Sequence, residues 1–282
     1  MKKDTPRFFT ALNYIYVIKS IIRRITPPRL FFILDFLKGD LNGAEVKVND
    51  LYKYVEFIFD SVGINPQDKV IFEVGSGRYA RLGLRLLNKG AKKIKAIDLY
   101  AVPLSNKKHR LILNQDIRDL SLSVDILSRL EVSTGDASLD DCLMDDAADI
   151  IFSISVLEHI RDPKALYHQC YKWLKPGGIM VHSIDFRDHE NFQKPFQMLQ
   201  FSDKTWRLFL NPPGGCHLNR WRIGEHITAI KEAGFVEVRK IPLTEDHLGL
   251  AKLRTHLNER FAKMSDDDLA TLTGLVIAEK PL

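Results

Sequence analysis

The segment formed by residues 70–80 constrains the fold more than any other part of this chain. The apolar run Val70–Val74 predicts a buried strand, and Gly75 and Gly77 break that run before leucines resume at helical spacing. Glycine lets the backbone turn sharply and lets a ligand approach without a Cβ in the way. A strand, a glycine turn and a helix N-terminus in this order predict a site for a nucleotide-like ligand.

The glycine turn alone leaves the kind of nucleotide open. Residues 75–80 fit the G-x-G-x-x-G/A pattern of dinucleotide sites, and Asp98 follows Gly77 by 21 residues, close to the position of a ribose-binding acid. Glu73, however, stands just before the turn, where it would repel a pyrophosphate. A carboxylate there suits the cationic amino group of S-adenosylmethionine (SAM) through a charge-assisted hydrogen bond. SAM is favoured, and a nicotinamide dinucleotide remains the alternative.

Apolar strands and amphipathic helices alternate along the rest of the chain. We expect strands at 70–74, 94–99, 130–133, 149–153, 179–184, 235–241 and 275–279, and helices at 51–62, 80–88, 115–130, 163–174, 224–233 and 245–263. This order predicts an α/β fold with a doubly wound, mostly parallel seven-stranded sheet, helices on both faces, and additional N-terminal helices. We expect a helical arm or lid at 1–62, one main domain at 63–282, and an irregular insertion at about 186–222.

The basic charge is concentrated at the N-terminus. Residues 1–40 contain eight Lys or Arg and three Asp or Glu, which leaves 33 of each kind (41 minus 8, 36 minus 3) in the rest of the chain. A neutral body argues against nucleic acid as a partner, because a duplex groove needs a basic face. The arm lacks the ~20 consecutive apolar residues of a membrane span and lacks a signal-peptide cleavage site. We expect it to close over the ligand site; the alternative is a peripheral contact with a membrane or a lipid-linked substrate.

The cysteines favour a cytoplasmic location. Cys142, Cys170 and Cys216 form no C-x-x-C pair. Their number and spacing argue for a reducing compartment and against both a disulfide framework and a cysteine zinc site.

Five motifs follow one another along residues 66–185. They are Glu73-Val74-Gly75-Ser76-Gly77, Ile97-Asp98-Leu99, Thr134-Gly135-Asp136-Ala137, the stretch from Asp149 to Ile160, and Leu174-Lys175-Pro176-Gly177-Gly178. Together they resemble the class I SAM-dependent methyltransferases, particularly the type 11 group of small-molecule enzymes. The resemblance implies methyl transfer to a small molecule. We expect a small-molecule, glycan or lipid-linked acceptor, with oxygen as the favoured atom. The alternatives are an NAD-dependent oxidoreductase and a SAM-binding scaffold without catalysis.

The resemblance also implies which residues bind the cofactor. They are Glu73, Gly75, Ser76, Gly77, Asp98, Leu99, Asp136, Ala137 and Ser153. In this assignment Asp98 accepts hydrogen bonds from both ribose hydroxyls, and Asp136 accepts one from the adenine amino group. Ser153 lines the methionine side. Tyr79 departs from the pattern, since many relatives have a third glycine there.

Candidate catalytic residues are few, because methyl transfer from a sulfonium depends mainly on positioning and on exclusion of water. A hydroxyl acceptor would benefit from one base, for which His159, Asp185 and His217 are the candidates. A structural role in its turn is the alternative for His159.

Glu158 and His159 match part of the Glu-x-x-Glu-His cluster of a metal-using RNA-terminus methyltransferase family. Ser155 replaces the first Glu, so no metal site is expected.

The segment 211–222 combines two prolines and two glycines with a cluster of recognition side chains. Asn219, Arg220, Trp221 and Arg222 are predicted to bind the acceptor, because aromatic and guanidinium groups suit sugars and anions. The alternative is a connection whose tryptophan packs into the core while its arginines stay solvated.

Overall fold

The computed structural model of the protein describes residues 17–18, 21–22, 41–139, 145–211 and 217–282, with the backbone alone at 41–47. Most of the predicted arm lies outside the described residues, as do Cys142 and Cys216. No helix in the described ranges is long and apolar enough to cross a membrane.

Seven described strands form one sheet. They are β1 (Val70–Val74), β2 (Lys93–Asp98), β3 (Leu130–Thr134), β4 (Ala148–Ile154), β5 (Leu174–Asp185), β6 (Val236–Glu245) and β7 (Thr271–Glu279). Their order is β3-β2-β1-β4-β5-β7-β6. The strands pair in parallel from β3 to β5, whereas β7 runs antiparallel to both β5 and β6. The predicted doubly wound, mostly parallel sheet is confirmed.

Nine α-helices accompany these strands in the described ranges from residue 41 onward. They are α1 (Leu41–Val62), α2 (Arg81–Asn88), α3 (Lys107–Asp119), α4 (Pro163–Trp173), α5 (Asp203–Thr205), α6 (Ile223–Glu232), α7 (His247–Leu253), α8 (Glu259–Ala262) and α9 (Asp266–Ala270). Shorter 3-10 turns occur at Val124–Arg129, Leu157–His159, Gln197–Gln200 and Arg254–His256, and a π-helical turn at Trp206–Leu210.

Helices cover both faces of the sheet, as the alternation along β1 shows. Ile71 packs in a buried cluster with residues of α1, α2 and α3, whereas Phe72 packs in another with residues of α4 and α6. Trp173 at the end of α4 meets the Phe72 ring edge-on, with 5.0 Å between ring centroids. The second half of α1 therefore belongs to the packing of the main domain, although it was expected within the arm.

Two helix predictions need correction. The helix expected at 115–130 begins earlier, at Lys107, because the Asn106 side chain caps it by accepting from two backbone N–H groups. It ends at Asp119, and Ser121 then adopts a left-handed φ of 54°. The single helix expected at 245–263 is divided into α7, a 3-10 turn and α8, because Asn258 starts a new helix with its own cap.

The insertion at about 186–222 is more ordered than its sequence indicated. Short helical segments in this region place large apolar side chains in a third buried cluster, separate from the two beside the central strands. The cluster contains Phe196, Met198, Leu199, Phe201, Trp206 and Leu210 from the insertion, together with Leu250, Phe261 and Leu269 from the C-terminal helices. The insertion and the C-terminal helices thus form one packed unit at the edge where β5 and β6 end.

Candidate active site

Two glycines with different surroundings shape the loop after β1. Gly75 and Gly77 both have left-handed φ values, 78° and 68°. A Cβ at Gly75 would collide with the side chain of Val156, whereas no described atom lies within 4 Å of a Cβ at Gly77. Gly75 is therefore required for contact with the loop after β4, and Gly77 leaves open space in front of α2.

Glu73 carries a buried carboxylate that lacks a complete set of partners. Its Oε2 atom has no hydrogen-bond partner among the described residues. Burial, with a smaller contribution from the charge of Asp98, raises the pKa of Glu73 to about 8. An unpaired carboxyl in such a place is costly. A cationic ligand group would remove that cost, so this site fits the amino group of SAM.

Asp98 ties the glycine loop to the end of β2. Its Oδ2 accepts from the Gly77 N–H at 2.9 Å, and its Oδ1 accepts from the Tyr100 N–H at 2.7 Å. Each carboxylate oxygen has a further lone pair, so the same group can also accept from a hydroxyl. Leu99 is exposed beside it. The Ser76 N–H donates to the carbonyl of Ile97 at 3.2 Å, which fixes the loop from its other side.

The loop after β3 lies next to that strand end. The Gly135 N–H donates to the carbonyl of Asp98 at 3.2 Å. Asp136 is half-buried, and its Oδ1 accepts from the N–H and the hydroxyl of Ser138, at 3.0 and 2.6 Å. Ala137 is buried. The predicted ribose and adenine contacts are thus brought together at one edge of the sheet, as parallel strands require.

Ser153 differs from its predicted position. It is fully buried inside β4, and its hydroxyl is hydrogen bonded to Nδ1 of His182 at 2.8 Å. The expectation that Ser153 lines the methionine side is therefore corrected, because this side chain points into the strand packing.

The three candidate catalytic residues lie close to one another beyond β4 and β5. Nδ1 of His159 is 2.7 Å from the carbonyl oxygen of His217, and burial lowers the pKa of His159. Since a carbonyl can only accept, Nδ1 carries the proton and Nε2 of the neutral ring is the basic atom. Nδ1 of His217 is 2.8 Å from Nδ2 of Asn211. Burial lowers the pKa of His217 to about 4, so His217 is the weaker base.

Asp185 at the end of β5 is held as a carboxylate. Arg187 donates to both of its oxygens, at 2.9 and 2.6 Å. Burial acts to raise the pKa of Asp185, but the neighbouring His189 ring and the hydrogen bonds from Arg187 hold it below its usual range. A carboxylate engaged in this way is a poor proton acceptor and a good anchor for a neighbouring group.

Two further residues of this cluster were not among the predicted site residues. The His189 ring lies edge-on to the His159 ring, with 5.1 Å between centroids, and its Nε2 is 3.6 Å from Oδ2 of Asp185. Glu158 is buried, neither of its carboxylate oxygens has a partner among the described residues, and burial raises its pKa well above the usual value. The sequence signal for His189 is its position four residues after the acid that ends β5.

The predicted acceptor-binding arginines are buried. Arg222 is fully buried and donates to the backbone carbonyls of Phe186, Leu269 and Thr271. Arg220 donates to the carbonyls of Met198 and Phe201 and to the carboxylate of Asp203. The Arg222 guanidinium therefore joins the insertion to the C-terminal segment, whereas these hydrogen bonds of Arg220 lie within the insertion. The prediction that both arginines contact the acceptor is corrected, and so is the alternative of solvated arginines.

Asn219 and Trp221 also serve the packing of the insertion. The Asn219 side-chain amide donates to the carbonyls of Leu157 and Ile160, at 2.6 and 2.9 Å. Trp221 is half-buried and packs against His226, with 5.2 Å between ring centroids. Asn219 thus positions the turn that carries His159. Its side-chain amide donates both hydrogen bonds to that turn rather than to an acceptor. Among the described residues, no group of three or more His, Cys, Asp or Glu is placed to hold a metal ion.

The sheet order, the glycine loop and the acidic strand ends define a Rossmann-like, SAM-binding methyltransferase of class I. The chain belongs to the methyltransferase domain family, whose family model matches residues 47–239. It is an enzyme of the type 11 kind with SAM as its cofactor. The predictions of family, enzyme class and cofactor are confirmed, and the NAD-dependent oxidoreductase alternative is removed.

Curated relatives match only short parts of the chain. Phosphoethanolamine N-methyltransferase 3 of Arabidopsis thaliana is 37% identical over 76 residues, which cover 23% of this chain and 16% of that protein. Ubiquinone biosynthesis O-methyltransferase of Alkalilimnicola ehrlichii is 28% identical over 80 residues, which cover 26% of this chain and 31% of that protein. The chain thus spans less than a third of the length of either relative in these matches.

Solved structures match over most of the chain at low identity. A protein described as a sarcosine dimethylglycine methyltransferase from Galdieria sulphuraria superimposes with a TM-score of 0.52 at 16% identity, covering 96% of this chain and 97% of that one. Phosphoethanolamine N-methyltransferase 2 of Haemonchus contortus, in complex with S-adenosylhomocysteine, gives a TM-score of 0.51 at 16% identity, covering 80% and 52%. At these identities the similarity supports the fold.

Proposed function

We propose that this enzyme methylates a small-molecule acceptor, including the glycan and lipid-linked classes, at an oxygen atom, with His159 as the base. The observation that carries the proposal is the hydrogen bond from Nδ1 of His159 to the His217 carbonyl, at 2.7 Å. That bond leaves Nε2 as the basic atom, and burial lowers the pKa of His159, so the ring is neutral at pH 7. A neutral imidazole can take the proton that a hydroxyl loses as it attacks a methyl group.

The remaining residues have supporting roles in this proposal. Glu73 would hold the amino group of the donor, Asp98 its ribose and Asp136 its adenine, and bound SAM supplies an electrophilic methyl group. The loop at Val156, packed against Gly75, connects the donor site to the turn that carries His159. Asp185, held by Arg187, would orient polar groups on the acceptor side. The acceleration then comes mainly from holding donor and acceptor in line and from excluding water.

The proposal is tested with tritium-labelled SAM and a panel of small acceptors that carry either hydroxyl or amine groups. His159→Gln should lower kcat by about 10²-fold or more, because general base catalysis contributes on that order. Its affinity for S-adenosylhomocysteine should stay unchanged. His168→Gln, an exposed histidine on α4, is the matched control. Turnover confined to amine acceptors, or a fully active His159→Gln, would contradict the proposal. Binding of SAM without turnover of any acceptor would favour the scaffold alternative.

The N-terminal arm is proposed to cover the acceptor side as a lid. Val17 packs against the third buried cluster, which the insertion shares with the C-terminal helices. Ile18, Ile21 and Ile22 are exposed, and these residues support the alternative of a peripheral membrane contact. Removal of residues 1–40 should lower turnover while binding to anionic liposomes stays absent in both forms. Liposome binding that is lost on truncation, with unchanged turnover in solution, would support the membrane alternative.

A further inference from the structure

A cavity of about 550 Å³ lies between residues 193–200 of the insertion and residues 246–256 at the start of the C-terminal helices. None of its lining residues is among those predicted to bind the cofactor or the acceptor. Its volume is within the range of pockets that hold small molecules. The cavity is therefore large enough for a ligand of its own.

The base and wall of the cavity are fixed by packing. Pro195, Phe196 and Leu253 supply apolar lining, and Phe196 and Leu253 belong to the third buried cluster or pack against it. The opposite wall is held by Asp246, whose Oδ1 accepts from the Gly249 N–H at 2.7 Å and so caps α7. Because both sides are anchored, the cavity is preformed.

Two lysines and a histidine are among the residues that line the cavity. They are Lys194, Lys252 and His256, and all three are exposed. In the part of the chain that the structure describes, the two lysines form no ion pair with a carboxylate. Asp246, which caps α7, also lines the cavity, so the two lysines outnumber this one carboxylate. Ammonium groups without partners above an apolar base suit an anionic group attached to an apolar body.

The cavity wall continues into the segment that carries His189. The Asp188 N–H donates to the Pro195 carbonyl at 2.9 Å, and the Asn191 side chain donates to Oε1 of Gln197 at 3.0 Å. These bonds close a loop of residues 188–197. The loop contains His189, and its last residues line the cavity. A ligand in the cavity would therefore contact the segment that borders the Asp185 cluster.

We propose that this cavity binds a small molecule that combines a phosphate or carboxylate group with a short apolar portion. The anionic group lies at Lys194 and Lys252, and the apolar portion lies against Phe196 and Leu253. The site does not depend on which atom of the acceptor is methylated, so its test is separate from that of His159.

Binding is measured by backbone amide NMR and calorimetry on the full chain, saturated with S-adenosylhomocysteine to occupy the donor site. The probes are phenyl phosphate, benzoate, inorganic phosphate and phenyltrimethylammonium. Phenyl phosphate or benzoate should shift the amides of Lys194, Gln200 and Gly249, and should bind about tenfold or more tightly than the other two. Phenyl phosphate binding without benzoate would identify phosphate as the recognised anion, and the reverse would identify carboxylate.

Two double variants test whether the aromatic anions bind in the cavity. The double variant Lys194→Gln/Lys252→Gln should lower the affinity for phenyl phosphate or benzoate by about tenfold or more. The control Lys53→Gln/Lys231→Gln removes the same charge from exposed positions outside the cavity and should leave affinity unchanged. Lys252→Glu should make the protein bind phenyltrimethylammonium more tightly than phenyl phosphate or benzoate. Absence of binding at millimolar concentration, equal binding of the cation, or equal effects of the two double variants would overturn the proposal.

Discussion

Binding of the cofactor should release a proton from Glu73. Burial raises the pKa of Glu73 to about 8, so at pH 7 the carboxyl is about 90% protonated in the free enzyme. The cationic amino group of the ligand needs the ionised form. Binding of S-adenosylhomocysteine at pH 7 should therefore release about 0.9 proton, and its affinity should rise nearly tenfold per pH unit between pH 6 and 7.5.

The release is measured by calorimetry in phosphate and Tris buffers, whose ionisation heats differ. In Glu73→Gln the observed heat should be the same in both buffers, and the steep pH dependence of affinity should disappear. Glu232→Gln, an exposed acid paired with Lys164, is the matched control and should keep the release. Equal heats in both buffers for the unmodified protein, or a release that persists in Glu73→Gln, would refute the reasoning about this carboxyl.

The same residue should make the free enzyme less stable at higher pH. The folded pKa of Glu73 lies above its ordinary value of 4.5, so the folded state keeps a proton that the unfolded chain loses. The free energy of unfolding should then fall as pH rises from about 4.5 to about 8. Glu73→Gln should raise the melting temperature of the free enzyme at pH 8 although it weakens cofactor binding.

Three further predictions concern stability. Gly75→Ala should lower the free energy of unfolding by about 2–4 kcal/mol, because its Cβ collides with a valine and its φ is left-handed. Gly77→Ala should lower it by about 1 kcal/mol through backbone strain alone. Chemical denaturation measures both changes. Burial lowers the pKa values of His182 and His226 to about 3, so the free energy of unfolding should decrease as pH falls from about 6.5 toward 3, and a flat profile would contradict this. Arg222→Met should cost about 3 kcal/mol or more, measured by thermal unfolding, because three buried carbonyls lose their donor.

Local sequence patterns were sufficient to predict the strand ends of the donor site. Glu73, Asp98 and Asp136 each follow or end an apolar run, and the carboxyl ends of parallel strands meet at one edge of a sheet. Helix ends were less predictable, because the start of α3 depends on a single capping side chain, that of Asn106.

The use of each polar side chain in the insertion was decided by tertiary structure. Arg222 bonds to carbonyls 36, 47 and 49 residues away, and no spacing in the sequence encodes such partners. Ser153 pairs with the buried His182 of β5 and is hydrogen bonded to its ring, so its position in a motif did not determine its exposure. His189 lies beside Asp185 and His159 through contacts that form only in the folded chain. Strand ends follow from local hydrophobicity, which the sequence states directly, whereas the partner of a buried polar group depends on which distant segments pack around it.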